Sequence, residues 1–417
     1  MKVLLVGSGG REHALAWKLK QSKRVTDIYI APGNPGTEEL GENIPAETSQ
    51  EILEWLKSNR VDLVVIGPDQ YLAEGLTDSI QELGIKVFGP TKLAAEIEWS
   101  KSYAKQFMEE ECIPTARHKV FNSSDEAKKY VSTQSFPLVI KADGLAAGKG
   151  VVIAQDLAEA VEAIEGMLDK KTFGESGARI VIEEYLEGRE ISVHAFCDGN
   201  IAVLFPASKD HKRIFEGDTG PNTGGMGTVA PVPVSQEEMD LIRDLVILPT
   251  LTGLKKRGQP FNGLLFPGIM LTSEGPKVIE FNARFGDPET QSYMLLLETD
   301  LFEILDACAS GTLEEIDIRW SNQFACCIIL AAKGYPARPE KGAPITILPF
   351  KSENTVIFHA GTTLSNGELR VSGGRVLGVS ARGETLKEAL DKAYKKIDQI
   401  DFQGKQFRED IGESLLT

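Results

Sequence analysis

Cysteine, histidine and tryptophan are scarce in this 417-residue chain, with five, five and four copies, and no apolar run is long enough to cross a bilayer. The cysteines, at 112, 197, 308, 326 and 327, are odd in number and form no C-x-x-C pair, which argues against a disulfide framework or a zinc-finger pattern. Reduced thiols in a cytoplasmic protein are the expectation. Positive charge is also short, 45 Lys and Arg against 61 Asp and Glu for a formal net charge of -16. No extended basic face for nucleic acid is expected, so any phosphate ligand must be held by a local cluster of Lys, Arg and backbone N–H groups. Neither a signal peptide nor a membrane span is read, because Met1-Lys2-Val3-Leu4-Leu5-Val6 runs directly into a strand. A chain of this length predicts two to four domains.

The first unit has the pattern of a Rossmann-like α/β domain. Lys2 to Gly10 is an apolar strand ending in Gly7-Ser8-Gly9-Gly10, and Arg11 to Leu19 fits a helix whose N-terminus can hold an anion. The dinucleotide fingerprint fails, because Glu12 stands where its third glycine belongs and the second strand, Ile28 to Ile30, runs into Ala31-Pro32-Gly33-Asn34 instead of a ribose-binding acid. An NAD-dependent oxidoreductase is therefore a weak alternative. Strands at Val61 to Ile66 and Lys86 to Phe88, with one amphipathic helix between them, complete the unit.

A helix over Lys101 to Glu110 leads to the boundary at Ile113-Pro114, and Ser123-Ser124-Asp125-Glu126 opens a second helix as a capping box. Two strands, Pro137 to Lys141 and Val151 to Ala154, flank the glycine-rich turn Ala142 to Gly150. This is not a P-loop: three residues separate Gly144 from Gly148-Lys149, Gly150 replaces the hydroxyl residue, and a strand follows. A hairpin with a mobile tip is expected, with Lys141 and Lys149 able to approach one polyphosphate from two sides.

Further on, Arg179 to Leu186 reads as a strand entering a connector, Glu190 to Phe196 as one strand, and Gly217 to Gly227 as a long glycine-rich loop behind the charge cluster Lys209 to Arg213. A helix is expected from Ser235 to about Lys256 and a strand from Gly263 to Leu271. In Val278-Ile279-Glu280-Phe281-Asn282 the period of two places Glu280 and Asn282 on one strand face, a carboxylate and an amide oxygen that suit a hard cation such as Mg²⁺. Taken alone, that pair also fits a solvated strand face. The charged turn behind it, Arg284-Phe285-Gly286-Asp287-Pro288-Glu289, shifts the weight toward a site. An apolar strand, Phe324 to Ala332, then opens a C-terminal α+β region.

Five strings occur in order: Gly7-Ser8-Gly9-Gly10-Arg11-Glu12-His13-Ala14-Leu15, Lys141 to Gly150, Asp210-His211-Lys212-Arg213, Asp218 to Gly227, and Arg284 to Gln291. In register they resemble the phosphoribosylamine-glycine ligases, also called glycinamide ribonucleotide synthetases, of the ATP-grasp superfamily, over essentially the whole chain. The resemblance implies an α/β and α+β multidomain fold. It comprises a Rossmann-like N-terminal domain (1–100), an ATP-grasp core (101–325) with a mobile small lobe at about 120–187, and a small C-terminal α+β domain (326–417). It also implies an enzyme of purine biosynthesis that ligates glycine to 5-phosphoribosylamine with ATP, through glycyl phosphate. Another ATP-grasp carboxylate–amine ligase is the alternative, and a non-catalytic ATP-binding regulator is disfavoured by the retained polar residues.

Carried over by the resemblance, Lys101 and Lys141 contact the ATP phosphates, with Gly144, Gly148, Lys149 and Gly150 as a lid. Glu183, the backbone of Glu184 and Leu186 read adenine, and Glu190 the ribose. Glu280 and Asn282 hold Mg²⁺ or Mn²⁺. The wider superfamily places a further acid on the preceding strand, where Phe266-Pro267-Gly268 stands here, which leaves the number of metal ions open. Arg284, Asp287 and Lys141 are the catalytic candidates. For phosphoribosylamine the candidates are Gly9, Gly10, Asp287, Pro288, Gly374 and Arg375, the last alternatively a strand-edge surface arginine. Asp210 and Asp218 are candidates for the glycine ammonium group or for holding their loop. Small molecules are the expected partners, with neither nucleic acid nor membrane, and a monomer is expected although oligomeric state has no signature here.

Overall fold

The structure, a computed structural model, describes residues 1–145, 150–172, 174–349, 352 and 354–416. The first unit is a parallel sheet in the order Glu42–Asn43, Asp27–Pro32, Lys2–Gly7, Leu63–Ile66, Lys86–Phe88. Its central strands are continuous apolar runs because helices cover both faces: Val3 to Val6 and Leu63 to Val65 are fully buried. The single helix expected between the last two strands is two, Asp69–Glu74 and Leu76–Glu82, divided at Gly75. Gly75 takes a φ of 88°, where a side chain would be strained. A further helix, Ser49–Ser58, starts at a reciprocal Thr48–Glu51 capping box.

The helix Lys101–Glu110 joins this unit to a small lobe, an antiparallel sheet ordered His118–Phe121, Ile180–Glu184, Leu138–Ala142, Val151–Ala154. The helices Ser124–Val131 and Leu157–Ile164 belong to the same lobe, which has its own apolar core of Phe121, Ile140, Ile164, Ile180 and neighbours. Ala146 to Lys149, and with them the expected lid tip, lie outside the described residues.

In the larger lobe, Asn262–Thr272 pairs antiparallel with Gly275–Asn282, Arg189–Ser192 and Ala195–Asp198. The single strand expected at Glu190 to Phe196 is therefore two, interrupted at Val193 and His194. Pairing with Gly275–Asn282 shifts register between Gly268 and Ile269, so Ile279 is an extra residue bulged between Val278 and Glu280. A fourth sheet runs Lys209–Asp210, Gly227–Ala230, Phe324–Ala331, Arg375–Gly383, Thr355–His359, so the central and C-terminal segments share one ladder. The helix Leu386–Ile397 packs on it. The expected loop over Gly217 to Gly227 is partly ordered as strand: Thr219–Asn222 pairs with Arg213–Phe215, and Gly227 opens the Gly227–Ala230 strand. Thr-Gly-Pro-Asn has no alternation to signal this hairpin, because it is mostly exposed. No helix among the described residues is long and apolar enough to cross a membrane.

Candidate active site

The three units meet around a cleft of about 1160 Å³. Its lining takes in Lys101, Lys141, Gly150, Glu183, Glu184 and Leu186 on the small-lobe side, and Glu190, Asp210, Asp218, Glu280, Asn282, Arg284, Asp287 and Arg375 on the other. Gly9, Gly10, Gly144, Pro288 and Gly374 do not line it, and Gly148 and Lys149 lie outside the described residues.

At the hinge between lobes, Glu183 stands between two buried lysines, 3.1 Å from Lys105 and 3.0 Å from Lys141. The bulge at Ile279 leaves its carbonyl off the ladder, where it accepts from Lys141 Nζ at 2.9 Å. Lys105 donates to Thr115 Oγ1, which in turn donates to the carbonyl of Val278, so both ammonium groups are tied to the strand that carries Glu280. Burial pulls Lys105 down to about 8 against the pull of Glu183. Lys101 Nζ donates to the Gly144 carbonyl, and burial lowers its pKa as well. Among the adenine candidates, the Glu184 side chain pairs with Arg117 and its N–H donates to the Arg117 carbonyl, so that N–H is committed.

Glu280 is half-buried; burial raises its pKa, but the field of Lys212, Lys141, Lys101 and Arg284 outweighs this and holds the carboxyl below its ordinary value. Asn282 Nδ2 donates to the Phe266 carbonyl, which turns Oδ1 the other way, onto Arg284 at 2.9 Å. The same guanidinium pairs with Glu98 at 3.0 Å, and burial lifts Glu98 to about 7 despite that pairing. A carboxylate and an oriented amide oxygen are hard donors on one strand face and fit a divalent cation that completes its shell with phosphate oxygens and water. Arg284 now covers the amide oxygen with the same Nη2 that pairs with Glu98.

Beyond this strand lie two more carboxyl groups. Burial raises the pKa of Asp210 well above its usual value, Glu289 adds like-charge repulsion, and Oδ1 of Asp210 is buried without a hydrogen-bond partner. Glu289 is raised by burial and accepts from Ser192 Oγ at 3.1 Å. Lys212 pairs with Glu190 at 2.5 Å. Asp218, by contrast, is bound to Arg408 at 2.7 Å.

At the far end Asp287 pairs with Arg375 at 3.3 Å and accepts from Gln291 Nε2 at 2.8 Å. Burial raises the pKa of Asp287, but Arg375 and Arg11 reverse the shift. Arg375 also donates to the carbonyls of Gly224 and Asp287, which makes it an interior linker and not a strand-edge surface residue. The Gly9 N–H, expected to face a substrate, is taken by Glu12 Oε2 at 2.6 Å. Glu12 thus fills the anion position at the helix N-terminus with its own carboxylate, and Arg11 holds that carboxylate at 2.5 Å. Gly374 and Pro288 are closely packed: a Cβ on Gly374 would enter the Tyr335 ring, and Pro288 lies against Gly225.

Sequence reasoning missed Glu98 and Lys105 as cleft residues, while Arg11, Lys212 and Glu289 stand within its motifs without an assigned contact. Lys105 carried a usable signal, since it follows Lys101 by one helical turn on the same face. Glu98 carried none, because its partners Ala283 and Arg284 are distant in sequence.

An antiparallel lobe closing over a lysine-lined cleft, opposite a strand with a carboxylate and an amide oxygen, defines the ATP-grasp class. Family models match in chain order: the phosphoribosylglycinamide synthetase N domain over residues 1–98, its ATP-grasp (A) domain over 99–290, and its C domain over 325–414. The chain belongs to the phosphoribosylglycinamide synthetase family. It is 47% identical to a phosphoribosylamine–glycine ligase of Ralstonia nicotianae, with 100% of both chains covered, and 46% identical to one of Caldanaerobacter subterraneus, with 99% of each. The crystal structure of phosphoribosylamine–glycine ligase from Thermotoga maritima superposes with a TM-score of 0.87 at 37% identity, covering 99% of this chain and 100% of that one. A biotin carboxylase domain from Hydrogenobacter thermophilus, in complex with MgADP and bicarbonate, covers 97% of this chain and 91% of that one. It shares the fold alone, with a TM-score of 0.75 at 16% identity.

Proposed function

We infer that this chain uses ATP to join the carboxylate of glycine to the amine of 5-phosphoribosylamine, giving glycinamide ribonucleotide, ADP and phosphate through glycyl phosphate, in purine biosynthesis. The observation that carries the reading is a cleft with lysines facing Glu280 and Asn282 at one end and the Asp287–Arg375 pair at the other. Identity to phosphoribosylamine–glycine ligases along the whole chain supports it.

A glycine carboxylate attacking a polyphosphate meets charge repulsion, and Lys101, Lys141 and Lys212 relieve it at the phosphoryl oxygens. Glu280 and Asn282 would hold a divalent cation, Mg²⁺ or Mn²⁺, which would supply further charge neutralisation when bound. Adenine takes the carbonyl of Glu184 and the N–H of Leu186, and Glu190 takes the ribose. Glu183 acts by holding Lys105 and Lys141 in place. Asp210 receives the glycine ammonium group, because its buried Oδ1 lacks a partner. Arg284 and Asp287 orient the second substrate, with Arg375 toward its phosphate. Closure of the small lobe keeps water from the acyl phosphate. The amine attacks the acyl carbon, the C–O bond to phosphate breaks, and the nitrogen loses a proton. Aligning amine and acyl phosphate contributes on the order of 7–11 kcal/mol, so positioning outweighs acid–base catalysis. We place the reaction in the cytoplasm, in keeping with five free cysteines, four of them buried.

Mass spectrometry of the products tests this reading. An amide of glycine and phosphoribosylamine formed one-for-one with ADP is expected; ADP without the amide would sink it.

A further inference from the structure

The hairpin Arg213–Phe215 and Thr219–Asn222 forms a two-stranded sheet joined to no larger one. Such a unit is marginal alone. One apolar side chain anchors it, Ile214 against Met226 and Ala331, while Phe215 is exposed. Yet it walls the cleft: Lys212, Arg213, Asp218, Asn222 and Gly224 line the cavity, and the Gly224 carbonyl accepts from Arg375, which holds Asp287.

The C-terminal segment supplies what the hairpin lacks. Gln406 exchanges two backbone hydrogen bonds with Ala331, at 2.8 and 3.0 Å, which pins the segment to the sheet that contains Phe324–Ala331. Arg408, 1% exposed, then donates to the Arg213 carbonyl at 3.1 Å and to Asp218 Oδ1 at 2.7 Å, and is itself held by Asp410. Asp410 Oδ2 accepts from the Gly217 N–H at 2.9 Å, and the Gly412 N–H donates to His211 Nε2 at 3.1 Å. Asp218 adopts a φ of 52°, uncommon for a side-chain-bearing residue, and meets Arg408 from that conformation. A buried guanidinium satisfied across two segments holds them in one arrangement, because releasing either partner leaves a buried charge uncompensated.

We propose that residues 408–412 clamp the hairpin onto the cleft, with Arg408 and Asp218 as positioning residues for the amine substrate, so that Asp218 serves the clamp and not the glycine ammonium group. The proposal rests on assigning the Asp287–Arg375 end to phosphoribosylamine.

Steady-state kinetics of the full chain carrying Asp218→Asn, Arg408→Lys or both decide it. Asp218 is mostly exposed, so the first variant keeps the fold if the second does not. Loss of one charge-assisted hydrogen bond is expected to raise the phosphoribosylamine KM roughly tenfold, with the ATP and glycine KM values within about twofold. The double variant should be no worse than the worse single one, because both remove the same contact. A rise confined to the glycine KM, or effects that multiply in the double variant, would overturn the clamp. Unchanged phosphoribosylamine kinetics in both single variants would overturn it too while leaving the ligase reading intact; a wild-type chain that ignores phosphoribosylamine would remove both.

Discussion

The carboxylate of Glu183 bridges two buried ammonium groups, Lys105 at 3.1 Å and Lys141 at 3.0 Å, neither lysine being more than 3% exposed. Sequence resemblance assigns this residue to adenine; its geometry makes it the shared ion-pair partner of two lysines buried inside the hinge. Glu183→Gln leaves them facing a neutral amide, and removing one partner of a buried pair costs about 3–5 kcal/mol. Denaturant melts should show that loss together with a raised ATP KM. A variant as stable as wild type would mean that the lysines do not depend on Glu183.

Glu98 gives a prediction in pH. Burial lifts its pKa from 4.5 to about 7, so the folded chain binds a proton that the unfolded chain has released between those values. Its contribution is present below about 4.5 and is lost as pH rises through about 7, on the order of 3 kcal/mol in all. In Glu98→Gln this part of the slope should vanish from unfolding curves collected between pH 4.5 and 7.5. An unaltered slope would show that Glu98 is ionised throughout.

Asp210 should separate stability from activity. Burial and the nearby Glu289 both disfavour its charge, so the folded state loses stability as pH rises through its elevated pKa. Asp210→Asn relieves that cost, and its Tm at pH 8 should exceed that of wild type while glycine-dependent turnover falls. A lower Tm with normal glycine kinetics would contradict both halves.

For the proposed cation site, Glu280→Ala removes the cleft carboxylate that the field of Lys212, Lys141, Lys101 and Arg284 holds below its ordinary pKa. Turnover should fall by several kcal/mol of lost charge stabilisation, roughly a thousandfold or more, with ATP still bound. The metal titration of residual activity should shift to higher concentration. Undiminished turnover would remove Glu280 from the site.

Much of the fold was legible because its signals are local. Ser123, Ser235 and Thr385 each cap the helix that follows by accepting the N–H three residues on, and the apolar runs at Leu63–Ile66 and Phe324–Ala331 are strands buried on both faces. Glu12 was read as a failed dinucleotide fingerprint, and the structure supplies the reason: its carboxylate caps the helix at the place a pyrophosphate would occupy. What stayed hidden depends on partners far along the chain. No local pattern reports that Ile279 bulges and frees a carbonyl for Lys141, that Glu98 reaches Arg284, or that Arg408 grips a hairpin nearly two hundred residues upstream. The candidate residues were legible as types; which of them face the cleft and which hold it in shape followed from packing.

The most direct test of the account is ADP and phosphate release from the purified chain, with ATP and Mg²⁺ present throughout and glycine and 5-phosphoribosylamine supplied together, singly or not at all. The account predicts sustained release only when both are present. Release at the same rate without either one would contradict it.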